Sequence, residues 1–315
     1  MDLSQPFLMN GSPRGKGLTM ISNKMLLAVS AAALALSAQA ATAQTVKVEN
    51  AVARLVYMPE NRSDIAVEIS QGSSNLPAPT VTRTARGVEI NGGVNGRGRT
   101  LHSYQCNGGS RQQPPERPGE GVSVTVRGYG RIEAMDAPLI VVRGPRDIEI
   151  NTGGAVYGAV GRGADNVKVR SGGCGDWVIA NVTGNTDIAV GGSGRFWAGR
   201  ADNVRIAIGG SGDVNVSEAG SLDVSIGGSG DVKVMQLTER ANIAIAGSGD
   251  VQIVGGNIDS LSSTIAGSGD IDFGGTTRDL SVNIMGAGDV RVNRVTGNIS
   301  RRVMGVGKVI VADQR

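Results

Sequence analysis

The sequence predicts an all-β fold, a right-handed parallel β-helix built as a single-stranded β-solenoid with coils of ~19 residues. Three observations carry this expectation. A Gly-Ser-Gly-Asp motif recurs at a near-constant step, and apolar residues alternate with polar ones on both sides of it. The composition sets 49 Gly against only 3% aromatic residues in 315, too little aromatic mass for an ordinary globular core.

The motif is clearest at residues 210–214, 228–232, 247–251, 267–271 and 286–290, with weaker copies at 173–176, 192–195 and 305–308. Its fourth position falls at residues 176, 195, 213, 231, 250, 270, 289 and 308, in steps of 18 to 20. The flanks recur with it. Ile208, Ile226, Ile245, Ile265 and Ile284 sit five residues before that position, and Val214, Val232, Val251, Ile271 and Val290 sit one after it. Alternation with β-branched residues marks strands with one buried face. The Gly-x-Gly is expected to supply the positive-φ positions of a tight corner. A unit this small cannot bury its apolar face alone, so copies stack, like residue on like, at about 4.8 Å. Antiparallel hairpins in a sandwich would not force equivalent residues to recur in register. The right-handed sense follows from the strong preference of parallel crossovers.

Three segments follow. Residues 1–43 read as an upstream extension and a secretory signal peptide: Lys24 gives a basic flank, residues 25–37 an apolar run, and Ala38-Gln39-Ala40 and Ala41-Thr42-Ala43 small-residue cleavage sites. The run of 13 is too short to span a bilayer. Residues 44–150 read as irregular leading coils that cap the solenoid, with strand-like alternation at 46–56, 65–69, 81–90 and 122–126 and an exposed Pro- and Gly-rich loop at 107–121. Residues 151–315 are the regular solenoid. Removing the leader takes Arg14, Lys16, Lys24 and Asp2 and leaves 28 basic against 27 acidic residues. That balance argues for neither nucleic acid nor an anionic membrane as partner, and no second apolar run offers a membrane span. Export to the periplasm or cell surface is the expected destination. In such an oxidising compartment Cys106 and Cys174 are a candidate disulfide, with two separate thiols as the alternative.

At its repeats, GSGDV with alternating strands on either side, the chain resembles the head GIN domain family of autotransporter adhesins. The resemblance covers residues 45–312 in arrangement and is most specific over about 190–295. It implies an exported β-helix with an adhesion-type role, and it brings no catalytic residues.

The candidate chemistry starts with the ladder Asp213, Asp231, Asp250, Asp270 and Asp289, whose carboxylates stacking would place roughly 5 Å apart. Three readings compete. The Asp residues cap the corner through nearby backbone N–H groups; they bind calcium; or they form a glycosidase pair. Calcium β-rolls use G-G-x-G-x-D twice per coil, whereas here Asp follows Gly directly and once per coil. A carboxyl pair at ~5 Å arises from stacking alone and so is no sign of catalysis. His102 is the only histidine, and no nucleophile elbow or C-x-x-C occurs. Capping is therefore the preferred reading, with no metal and no cofactor expected. Trp177 and Phe196 should point into the stack and Trp197 outward, as a candidate surface contact. The sequence as a whole reads as a non-enzymatic surface, adhesion-like or scaffold module, with envelope polysaccharide or another protein as candidate partner. The alternatives are a carbohydrate-active hydrolase or lyase and a calcium-stabilised repeat module.

Overall fold

A computed structural model describes residues 43–94, 104–108 and 113–314. The predicted leader up to residue 42, His102 and part of the predicted 107–121 loop lie outside the described residues. The described part is nearly all β and stacks as a parallel β-solenoid of about nine coils spaced roughly 19 residues apart.

In the regular part, one long strand runs from each corner to the next: Phe196–Ile208, Val214–Ile226, Val232–Ile245, Val251–Ile265 and Ile271–Ile284. Each pairs in parallel with its successor, like residue on like. Ile208, Ile226, Ile245, Ile265 and Ile284 form one column, and Phe196, Val214, Val232, Val251, Ile271 and Val290 another. The alternate burial seen along these strands is the expected result of β-branched residues facing a shared interior. In the early coils, Trp177 and Phe196 lie parallel with ring centroids 6.3 Å apart, and Gly158 makes room for the indole.

The steps of 18, 19 and 20 residues are accommodated on one side of the coil only. Pairing is unbroken from the column at Val214 to the one at Val216, and again from Leu222 to Ile226. The register shifts fall between, at Ala219/Ser221, Leu237/Arg240, Ile253/Asn257 and Phe273/Thr276. The glycine corner itself never changes length.

The reason for glycine at that corner differs from the expected one. None of the corner glycines from Gly192 to Gly307 has positive φ. Their side-chain position is instead filled by the coil below. A Cβ on Gly210, Gly228, Gly247, Gly267 or Gly286 would lie 1.9–2.0 Å from the carbonyl oxygen of the equivalent glycine one coil earlier, and one on Gly212, Gly230, Gly249, Gly269 or Gly288 at 2.0–2.1 Å. Close packing of successive turns, rather than a left-handed backbone, selects glycine here.

The N-terminal half supplies the first coil and its cover. Gln44–Pro59 pairs along its length with Asp147–Val160. Its other edge takes Gly87–Asn91 and Leu139–Gly144 in parallel. Antiparallel strands Thr80–Thr84 and Ala66–Ser70 then finish that end of the stack. The alternating run at 81–90 is thus a hairpin rather than one strand, folding back through Ala85 and Arg86. A separate three-stranded antiparallel sheet, Tyr104–Gly108, Val122–Val126 and Gly130–Glu133, packs on the outward side chains of Val52, Ala155 and Tyr157 and encloses a second small core with them. It lies against the flank of the first coils, not over the end.

Candidate functional site

Each ladder Asp does one job in common. Its Oδ1 accepts a hydrogen bond from the backbone N–H of the equivalent residue in the next coil: Asp231 to Asp213 at 3.1 Å, Asp250 to Asp231 at 2.8 Å, Asp270 to Asp250 and Asp289 to Asp270 at 2.7 Å, and Lys308 to Asp289 at 2.8 Å. Arg195 donates in the same way to Asp176 at 3.0 Å. The corner N–H that a β-ladder would leave unpaired is thereby satisfied from below. Charge repulsion along the column is relieved by these donors and by cations at its two ends. Arg291 reaches Asp270 at 3.1 Å and Asp289 at 2.8 Å, and Arg195 lies 3.9 Å from Asp213. No cation pairs with Asp231 or Asp250 among the described residues. The Asp289 N–H, helped by Arg291, holds the Asp270 carboxyl below the usual carboxylate range.

A trough of about 810 Å³ runs beside this ladder from Arg195 to Arg291. At coil spacing it is roughly 24 Å long. Its far wall is one outward row read across successive coils, Asn215, Lys233, Gln252, Asp272 and Arg291. Carboxylate, amide, ammonium and guanidinium groups therefore succeed one another at a fixed pitch. Among the described residues no group of three or more His, Cys, Asp or Glu side chains is placed to hold a metal ion. The carboxyls of Glu60, Asp64, Glu149, Asp270 and Asp279 are held below the ordinary value, the opposite of what a general acid needs.

Trp197 is not the exposed contact that alternation suggests. It does point outward, next to Val178 and Asn215, but is only 8% exposed. It lines a groove of about 410 Å³ together with Pro114, Val178, Lys233 and Met235. Cys106 and Cys174 form a disulfide with Cα atoms 6.1 Å apart, tying the lateral sheet to a corner where Cys174 takes the place that Ser211 or Ser229 holds in later coils. A second ladder had no part in the sequence reading. Asn166 donates to Asp147 at 2.7 Å, Asn185 to Asn166 at 2.7 Å and Asn203 to Asn185 at 3.0 Å, on the opposite side of the coil. Its signal is the same step of 18–19 residues, without the recurring Gly-x-Gly to draw attention to it.

A family model described as "Putative auto-transporter adhesin, head GIN domain" matches residues 117–237 and 236–314. The chain belongs to the head GIN domain family. The two matched segments meet within one coil, so the family pattern runs from the lateral sheet to the last coil, over both the ladder and the trough. No curated protein matches. Among solved structures, the chain is similar to a crystal structure of a "Putative lipid binding protein" from Parabacteroides distasonis ATCC 8503, at 13% identity and TM-score 0.47, covering 87% of this chain and 92% of that one. Membership in this adhesin-like family goes with a binding module rather than an enzyme and with an exported or surface protein. No helix among the described residues is long and apolar enough to cross a membrane.

Proposed function

We propose that this head GIN domain protein is a non-enzymatic, exported binding module whose trough beside the aspartate ladder receives an extended polar ligand, with envelope polysaccharide as the favoured class. One observation carries the reading. The ladder carboxylates are engaged coil to coil in structural hydrogen bonds, so the trough offers a periodic polar surface and not a proton-transfer pair. Hydroxyl-rich polymers are bound by this kind of surface, in which carboxylates and amides accept and donate to successive sugars while the scaffold stays rigid.

The test is binding of the purified protein to a panel of envelope and plant polysaccharides, with Lys233→Ala/Gln252→Ala as the trough variant. Both side chains are exposed, so the melting temperature should hold while affinity for a bound polysaccharide falls at least tenfold. Absence of binding across the panel, or binding indifferent to the variant, refutes the trough. Release of reducing ends that is lost in Asp231→Asn/Asp250→Asn would replace the binding module with a hydrolase or lyase.

A further inference from the structure

The two ends of the solenoid differ. At the C-terminal end two interior columns turn polar, while those that end in Ile299, Val303, Val309 and Val311 stay apolar. Arg301 occupies the column of Val282 and Val224, and Gln314 the column of Val295. An inward-pointing charge at an edge strand discourages another strand from stacking there. The outer rows of the same coils change in the opposite sense. The corner position held by Ala246 and Ala266 becomes Met285 and then Met304, and the one held by Ser248 and Ser268 becomes Ala287 and then Val306. Of the nine exposed large apolar side chains in the described residues, five fall in this last stretch: Met285, Met304, Val306 and Ile310 on outer rows, with Val306 81% exposed, and Val303 at the end of the interior Ile column. Scattered exposed apolar residues need no explanation, but a concentration at one tip does.

Charge gathers at the same tip. No acidic residue lies between Asp289 and Asp313, and Arg301, Arg302 and Lys308 have no carboxylate partner among the described residues. The near-neutral total for the mature chain conceals this local excess. An apolar tip ringed by unpaired cations is the pattern of a surface that inserts shallowly between anionic headgroups. A second copy of the same end fits poorly, because antiparallel self-pairing of Ile299–Val303 would set Arg301 against Arg301.

We propose that the last coil of the solenoid docks to an anionic lipid surface through Met304 and Val306, with Arg302 and Lys308 pairing with headgroup phosphates. This is a separate surface from the trough and does not depend on it.

The test is co-sedimentation of the exported protein, its N-terminus read by intact mass, with phosphatidylcholine vesicles with and without 30% phosphatidylglycerol. The expected result is sedimentation only with the anionic vesicles and release at about 0.5 M salt, where the screening length falls to a few ångströms. Arg302→Gln and Lys308→Gln should each weaken the partition coefficient about fivefold, and Met304→Ser/Val306→Ser should weaken it further at unchanged melting temperature. Equal binding to neutral vesicles, no binding, or variants that behave as wild type would overturn the proposal. Vesicle-free dimerisation that Met304→Ser/Val306→Ser abolishes would also overturn it and assign the tip to a second copy.

Discussion

The three glycines of a single corner are predicted to respond differently to the same substitution. At Gly228 an added Cβ lies 2.0 Å from the Gly210 carbonyl oxygen, and at Gly230 it lies 2.1 Å from that of Gly212; at Gly227 the nearest atom, the Ile208 carbonyl oxygen, is 3.9 Å away. Real Cβ atoms essentially never approach closer than 3.0 Å, so alanine at 228 or 230 must drive two coils apart by about 1 Å. The bonds that hold them at this point are Ser229 N–H to Gly210 O at 3.0 Å, Gly228 N–H to Ile208 O at 3.3 Å and Asp231 N–H to Asp213 Oδ1 at 3.1 Å. A displacement of that size takes all three beyond hydrogen-bond range. At ~1 kcal/mol for each bond the cost is about 2–4 kcal/mol. Gly227→Ala meets only ordinary contact and has no positive φ to lose. It should be neutral, or stabilising by up to ~1 kcal/mol through a less flexible unfolded chain. Urea melts of the three single variants decide the matter. Equal costs at 227, 228 and 230, or a cost under ~1 kcal/mol at both 228 and 230, would refute the claim that glycine is selected by the coil below.

Three further outcomes are expected. Ile245→Asp buries an unpaired charge between Ile226 and Ile265 and should cost several kcal/mol, whereas Asp250→Asn keeps an oxygen for the Asp270 N–H and should cost no more than about 1 kcal/mol; paired urea melts compare them. Because Asp270 is held below its ordinary pKa in the folded state, its contribution is present above ~4 and is lost as pH falls through the lowered value; thermal melts from pH 6 down to pH 2 should show a shallower acid limb in Asp270→Asn. Reduction of the Cys106–Cys174 bond, which closes 68 residues, should loosen the lateral sheet by up to ~4 kcal/mol and speed proteolysis near 113–121, while peptides from Val214–Ile284 stay protected.

The regular coils were legible because each strand is written several times. One Ile before a corner proves little, but five at a near-constant step fix both the register and the inward face. What escaped was whatever belongs to two coils at once or to a segment written only once. The crowding at Gly228 depends on a carbonyl 18 residues away, so a local reading assigned the glycine to backbone freedom instead. Alternation did send Trp197 outward, but it carries no information on what lies over that face, and Pro114 and Met235 line the groove it occupies. The lateral sheet has no repeat to align, and its place follows from Val122, Val124 and Val126 meeting Val52 and Tyr157, residues distant in sequence. The trough needed only register: once Asp231 sits above Asp213, Lys233 must sit above Asn215.

Confining the register shifts to one side of the coil gives the molecule two edges with different tolerance to insertion and deletion. A residue gained or lost near Gly220, Glu239, Gly255 or Gly275 is taken up at the bend, as the natural steps of 18, 19 and 20 already show, and leaves the Asp column and the row from Asn215 to Arg291 at the same pitch. A whole coil, cut from one Asp to the next, could be duplicated or excised in the same way, since it begins and ends in equivalent surroundings. The length of the trough can thus change in whole-coil increments with its spacing intact, and under the proposed binding role the length of polymer it receives changes with it.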